Sequence, residues 1–148
     1  MNMDLRSEVN GILARLARSL HLDELSLDNN LHCMLMFDDK IILNLELDEK
    51  HEHLISYSYI GEVPLVGREN IFEKLLEPNF FWNGTNGMTI GIDKQSQTVV
   101  LMMRFQLPLK SAENFEENLA DFVDTTEFWM HKLSTMTQEA EEISLAAD

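Results

Sequence analysis

Near residue 30 the apolar residues of this chain change their spacing. Over residues 4–20 they recur three and four apart, with Leu5, Val9, Ile12, Leu13, Leu16 and Leu20 on one stripe. That is the pattern of a helix burying one face. From residue 31 onward they alternate, which is the period of a strand with two unlike faces. A chain that switches period in this way, and later switches back, is neither a helical bundle nor an all-strand sandwich.

Three strand-like runs follow the first helix. Residues 31–37 form the first, closed by the turn signal Asp38-Asp39-Lys40. In residues 41–47, Ile41, Leu43, Leu45 and Leu47 share one face, with Asn44 and Glu46 on the other. Residues 53–60 set Ile55, Tyr57 and Tyr59 against Ser56 and Ser58. Pro64 and Gly67 end the block. Residues 69–77 read as a short helix with Ile71, Phe72, Leu75 and Leu76 on one side, stopped by Pro78. A loop at residues 83–87 leads to a second hairpin, residues 88–93 and 98–107, and Pro108 ends it. Ser111 is placed to cap a final helix running to about Leu133, with Phe115, Leu119, Phe122, Val123, Thr126, Trp129 and Leu133 on its stripe. The reading is an α+β fold with an antiparallel sheet in the order α-β-β-β-α-β-β-α. Residues 1–133 are expected as a single domain and residues 134–148 as an acidic, flexible tail.

The strands are too apolar to have one wet face. If Cys33 and Leu35 point inward, Met34 and Met36 point out, and if Val99 and Leu101 point inward, so do Val100 and Met102 point out. Three helices cannot cover both faces of such a sheet in a domain of this size, so apolar surface is expected to remain for a partner. Nine methionines suit a surface that accepts varied apolar groups.

Several chemistries are disfavoured. With 26 acidic and 11 basic residues the formal net charge is −15, which repels nucleic-acid phosphates. Cys33 is the sole cysteine, so no intrachain disulfide forms, as suits a reducing compartment. The first residues, Met1-Asn2-Met3-Asp4, carry no basic stretch leading into an apolar one, and no apolar run reaches the length of a membrane helix. A cytoplasmic protein is expected. His51-Glu52-His53 has no third ligand at a telling spacing, Gly84 and Gly87 precede no phosphate-binding Lys, and no nucleophile motif is present. No metal, cofactor or catalytic residue is expected. Two function classes remain: a stoichiometric protein-binding module, and a small ligand-binding or enzymatic α+β domain with an internal pocket.

Residues 75–84 (LLEPNFFWNG), the phrase Met88-Thr89-Ile90-Gly91-Ile92-Asp93, the run Val99-Val100-Leu101-Met102-Met103-Arg104 with Leu107-Pro108-Leu109, and the pair Phe128-Trp129 together resemble the class I type III secretion chaperones, the Tir chaperone or CesT family. The likeness covers residues 4–133. Asp4-Leu5, Ser7, Val9-Asn10, Leu13-Ala14, Leu25-Ser26-Leu27-Asp28 and Phe37-Asp38 resemble its ExsC-type subgroup of regulatory chaperones. Pro78 stands where many relatives have a small helix former. The resemblance implies a homodimer without enzymatic activity that binds an extended segment of a secreted effector, or of an anti-activator that couples secretion to transcription. It implies a dimer contact at Ile71, Phe72, Leu75, Leu76 and Trp82, and a partner groove at Ile12, Leu16, Met34, Met36 and Ile42.

Overall fold

The computed structural model describes residues 4–147. In chain order the elements are α1 (Leu5–Ser19), β1 (His32–Phe37), β2 (Ile41–Asp48), β3 (His53–Glu62), α2 (Arg68–Leu76), a 3-10 segment (Glu77–Trp82), β4 (Thr89–Asp93), β5 (Thr98–Gln106) and α3 (Ala112–Ala147). The strands form one sheet in the order β1-β2-β3-β5-β4, which leaves β1 and β4 as its two edges. By contact, the chain divides into two compact units. One comprises the chain up to Tyr57 with Arg104–Ala120, and the other Ser58–Met103 with the chain from Asp121.

In the first unit, α1 buries Val9, Leu13, Leu16 and Ala17, the stripe its spacing predicts. The outer side of that helix is tied to the start of α3: Ser19 Oγ donates to Glu116 Oε1 at 2.6 Å, and Arg15 Nε lies 3.5 Å from Glu116 Oε2. Phe105 meets Phe115 edge-to-face at 4.8 Å. β1 and β2 pair antiparallel with Cys33 opposite Leu45, Leu35 opposite Leu43 and Met36 opposite Ile42. Two consecutive left-handed residues, Asp38 (φ 54°) and Asp39 (φ 57°), reverse the chain between them, and Lys40 N–H donates to Phe37 O at 3.1 Å. Short polar side chains tolerate that conformation, which is why this dipeptide marks the turn.

In the second unit the buried stripe of α3 continues through Phe122, Thr126, Trp129, Leu133 and Met136. Gly61 and Gly67 let the helix come close. A Cβ on Gly61 would stand 2.5 Å from Leu133 Cδ2, and one on Gly67, which is left-handed at φ +65°, 2.9 Å from Ala140 Cβ. Val100 is buried, although it lies on the opposite face from Val99 and Leu101, so this part of β5 does not present it outward as expected. Its partner across the ladder is Gly91, and Met102 Cε leans over that glycine.

The end of α3 departs from the sequence reading. The helix does not stop near Leu133; it runs to Ala147. The acidic composition hid an unbroken three-and-four spacing, Leu133, Met136, Ala140, Ile143 and Ala147. Met136 is buried and Ala140 packs beside Gly67, so packing carries the helix beyond its expected end. From residue 141 every described residue is exposed. Removing residues 141–148 should therefore leave stability in urea nearly unchanged. Removing residues 134–148 should cost about 2–3 kcal/mol, mostly from the burial of Met136. Equal midpoints for the two truncations would show that the extension does not pack.

Candidate partner-binding surfaces

Strand geometry sends alternate residues of β1 to opposite faces. Cys33 and Leu35 are buried, so Met34 and Met36 are turned out, and each is 60% exposed. The register sets Ile42, 39% exposed, opposite Met36. These three of the five residues expected to form the partner groove thus lie together on the outer face of an edge hairpin. The other two do not join them on open surface: Leu16 is buried in the core and Ile12 is half-buried. Asn44, opposite Met34, is a buried polar residue on this face, which also carries the cross-strand pair His32 and Glu46. Its amide is satisfied, with Nδ2 donating to Tyr57 O at 3.3 Å and Oδ1 lying 2.8 Å from His32 Nε2.

The beginning of β1 is fixed by Asp28. Its Oδ1 accepts from Asn30 N–H at 2.8 Å and His32 N–H at 3.0 Å, while its own N–H donates to His32 O at 2.9 Å. The His32 N–H bond is the main reason the Asp28 carboxyl titrates below the ordinary aspartate value. Asp48, bonded to His51 Nδ1 at 2.8 Å, is lowered chiefly by that side-chain bond. A carboxyl lowered by folding stabilises the protein above the unfolded-state value, and the contribution is lost as pH falls through its folded value. Asp28→Asn should therefore lower the melting temperature at neutral pH. The gap to wild type should close as pH falls below 3.8. A gap that persists in acid would mean that the charge is not what matters.

The second surface is in the other unit. Of the residues expected at the dimer contact, Ile71 and Leu75 are buried within the chain's own core, at 1% and 3% exposure. Phe72 is half-buried with the Arg68 guanidinium 5.4 Å from its ring centre. Leu76 and Trp82 are exposed. The sequence reading missed Phe80, Phe81 and Phe128 as surface groups, although they are 71%, 70% and 56% exposed. The signal available was three consecutive aromatics, Phe80-Phe81-Trp82, in a stretch bounded by Pro78 and Asn83-Gly84. Phe81 (φ 49°) and Trp82 (φ 56°) are left-handed, which is costly for bulky side chains, on the order of 1–3 kcal/mol each.

Surrounding bonds hold this turn. Asn79 bonds both main-chain groups of Ile90, donating to its O at 3.0 Å and accepting from its N–H at 2.9 Å. Gly84 N–H donates to Pro78 O at 3.1 Å, and a Cβ on Gly84 would stand 2.6 Å from Pro78 Cβ. Thr85 Oγ1 donates to Met88 O. Helix α2 ends at Leu76, and Pro78 enters the first positions of the 3-10 segment, where its missing N–H costs little.

His51 and His53 do not converge on a common point. His51 Nδ1 binds Asp48, and His53 Nε2 lies 3.0 Å from Gln106 Oε1. Among the described residues, no group of three or more His, Cys, Asp or Glu is arranged to hold a metal, and no helix is long and apolar enough to cross a membrane.

A five-stranded antiparallel sheet with three helices, and with Met34, Met36 and Ile42 exposed on one edge hairpin, defines a small α+β class of fold. The chain belongs to the Tir chaperone protein (CesT) family, whose model matches residues 11–130. It is 32% identical over 131 residues to the transcriptional anti-antiactivator ExsC of Pseudomonas aeruginosa, covering 88% of this chain and 89% of that protein. It is 24% identical over 125 residues to a Tir chaperone of Citrobacter freundii, covering 84% of this chain and 78% of that one. The solved ExsC–ExsE complex contains a chain with TM-score 0.77 and 32% identity, covering 88% of this chain and 97% of its own. The HopA1–SchA chaperone–effector complex matches with TM-score 0.71 at 18% identity, covering 88% and 99% respectively, and shares the fold.

The two halves of α2 give a direct test. Leu75→Asp puts a charge into the core and should abolish cooperative unfolding, whatever the oligomeric state. Leu76→Asp, on an exposed site, should shift stability by no more than about 0.5 kcal/mol. A Leu76→Asp variant that unfolds like Leu75→Asp would contradict the placement of these side chains.

Proposed function

We propose that this chain is a cytoplasmic type III secretion chaperone and, more narrowly, an ExsC-type anti-antiactivator. As a homodimer it binds an extended segment of a secreted protein or of a regulator, and exchange between the two couples secretion to transcription. The observation that carries the reading is the β1–β2 hairpin. An edge strand offers main-chain donors and acceptors, and Met34, Met36 and Ile42 offer apolar footing for alternate side chains of an added strand. The identity to ExsC over most of both chains, and the fold shared with ExsC bound to ExsE, support the same reading. Self-association is assigned to the exposed apolar groups after α2, namely Leu76, Phe80, Phe81 and Trp82, with Phe72 at their margin. Ile71 and Leu75 support that surface from beneath.

Binding is stoichiometric on this account, with no bond made or broken. A disordered client pays its ordering entropy on binding, so a competing client of similar length can displace it. The unreactive setting of Cys33, buried and with its thiol pushed up first by burial and then by the charge of Asp28, is consistent with a structural role.

In a host lacking the chain, a reporter for its secretion genes should stay off under inducing conditions, and the wild-type chain should restore it. Met34→Glu/Met36→Glu, folded because both sites are exposed, should fail to restore the reporter. The same variant should bind its regulator at least about 30-fold more weakly, the equivalent of roughly 2 kcal/mol of lost apolar contact. Full restoration by the double variant would rule out this hairpin as the partner site.

A further inference from the structure

The methionines of the described residues sit in unlike settings. Met34 and Met36 are exposed, Met88 and Met136 are buried, and Met102, Met103 and Met130 are half-buried. The two thioethers most open to water thus stand two residues apart on one face of β1. Their strand neighbours Cys33 and Leu35 point into the core.

We propose that Met34 and Met36 form a reversible oxidation site, and that their conversion to sulfoxides by a peroxide releases whatever protein is seated on the hairpin. The proposal rests on the reading of the β1–β2 hairpin as the partner site. In the step, a lone pair of the thioether sulfur attacks one oxygen of hydrogen peroxide. An S–O bond forms as the O–O bond breaks, and the proton on the transferred oxygen passes to the departing hydroxide, which leaves as water. Sulfur gives up two electrons and the peroxide gains them. Methionine sulfoxide reductases reverse the change, one enzyme for each epimer, with a dithiol oxidised to a disulfide and the oxygen lost as water.

The fold directs oxidation to this pair and limits its effect to binding. Cys33, the chain's sole thiol, is withdrawn from the competition, since it is buried and its thiol is pushed up by that burial, which leaves little reactive thiolate. Alternation keeps the new oxygens on the outer face, so the packing of Cys33 and Leu35 against the core is untouched. The register sets Met36 opposite Ile42, so the exposed apolar footing comprises these two and Met34. Oxidation makes two of the three polar. Covering a sulfoxide with an apolar side chain removes its hydration without replacing it, which weakens association. Leucine at both positions would give similar apolar footing without this chemistry.

The test uses the full chain, hydrogen peroxide and a labelled peptide of alternating Val and Ser, with binding read by fluorescence polarisation and each methionine mapped by mass spectrometry. Brief treatment should add oxygen to Met34 and Met36 ahead of Met88 and Met136, and leave the urea midpoint unchanged. It should weaken peptide binding at least about tenfold, and the two reductases together should restore it. Met34→Leu/Met36→Leu, which keeps every other methionine, should bind within about twofold of wild type and ignore peroxide. Bound peptide should slow oxidation of the pair. Where the peptide shields the pair, oxidation of both with unchanged binding, or weakening that persists in the Leu variant, overturns the switch and leaves the hairpin as the partner site. A peptide that binds without shielding Met34 and Met36, or that does not bind the untreated chain, overturns the hairpin reading and the switch with it.

Discussion

A strand delivers successive side chains to opposite faces, so β1 cannot bury Cys33 and Leu35 without turning Met34 and Met36 outward. The exposed methionines are therefore tied to the core by covalent geometry. A one-residue slip in register would put Met34 and Met36 inside and Leu35 in water, at the expense of every pairing in the hairpin. The Asp38-Asp39 turn fixes that register by placing two residues in the left-handed region, which few side chains accept. The packing of this hairpin and the display of its outer methionines rest on one constraint.

The two edges of the sheet are handled differently. An open edge invites pairing with any passing strand, and proteins usually block it. On β4 the Asn79 side chain occupies both main-chain groups of Ile90, so the start of that short strand is already taken. On β1 the capping bonds stop at His32, and among the described residues the strand beyond it pairs with β2 alone. Methionine suits this open edge because its unbranched, polarizable side chain adapts to different partner shapes. A chaperone that must accept more than one client gains from that adaptability, whereas β-branched residues would fix one shape.

Much of the fold was legible because the periods are clean. The alternation of Ile41, Leu43, Leu45 and Leu47 against Asn44 and Glu46 leaves a single register, and the observed strand follows it. What composition obscured was the end of α3. Glu139, Glu141 and Glu142 read as a solvated tail, yet the helix there is set by which residues pack, and Met136 and Ala140 find partners. The candidate site was half legible. Alternation identified Met34 and Met36, because one face of a strand determines the other. On α2, four apolar residues at helical spacing could not be divided between the chain's own core and a partner, since Ile71, Phe72, Leu75 and Leu76 fit either. Only packing separates Leu75 from Leu76, neighbours that differ by 3% against 65% exposure.

The aromatic turn after α2 shows how a local rule can fail. Bulky residues avoid left-handed backbone, and large apolar side chains avoid water, yet Phe81 and Trp82 do both. Such a conformation persists only where its surroundings fix it, and here the close contact of Gly84 with Pro78 and the double bond from Asn79 do so. The strain is then a fixed cost of the folded chain, independent of what binds. Three rings held outward on a rigid turn lose little freedom when covered, so most of their burial is available for association. The same residues on a flexible loop would bury equal area and bind more weakly.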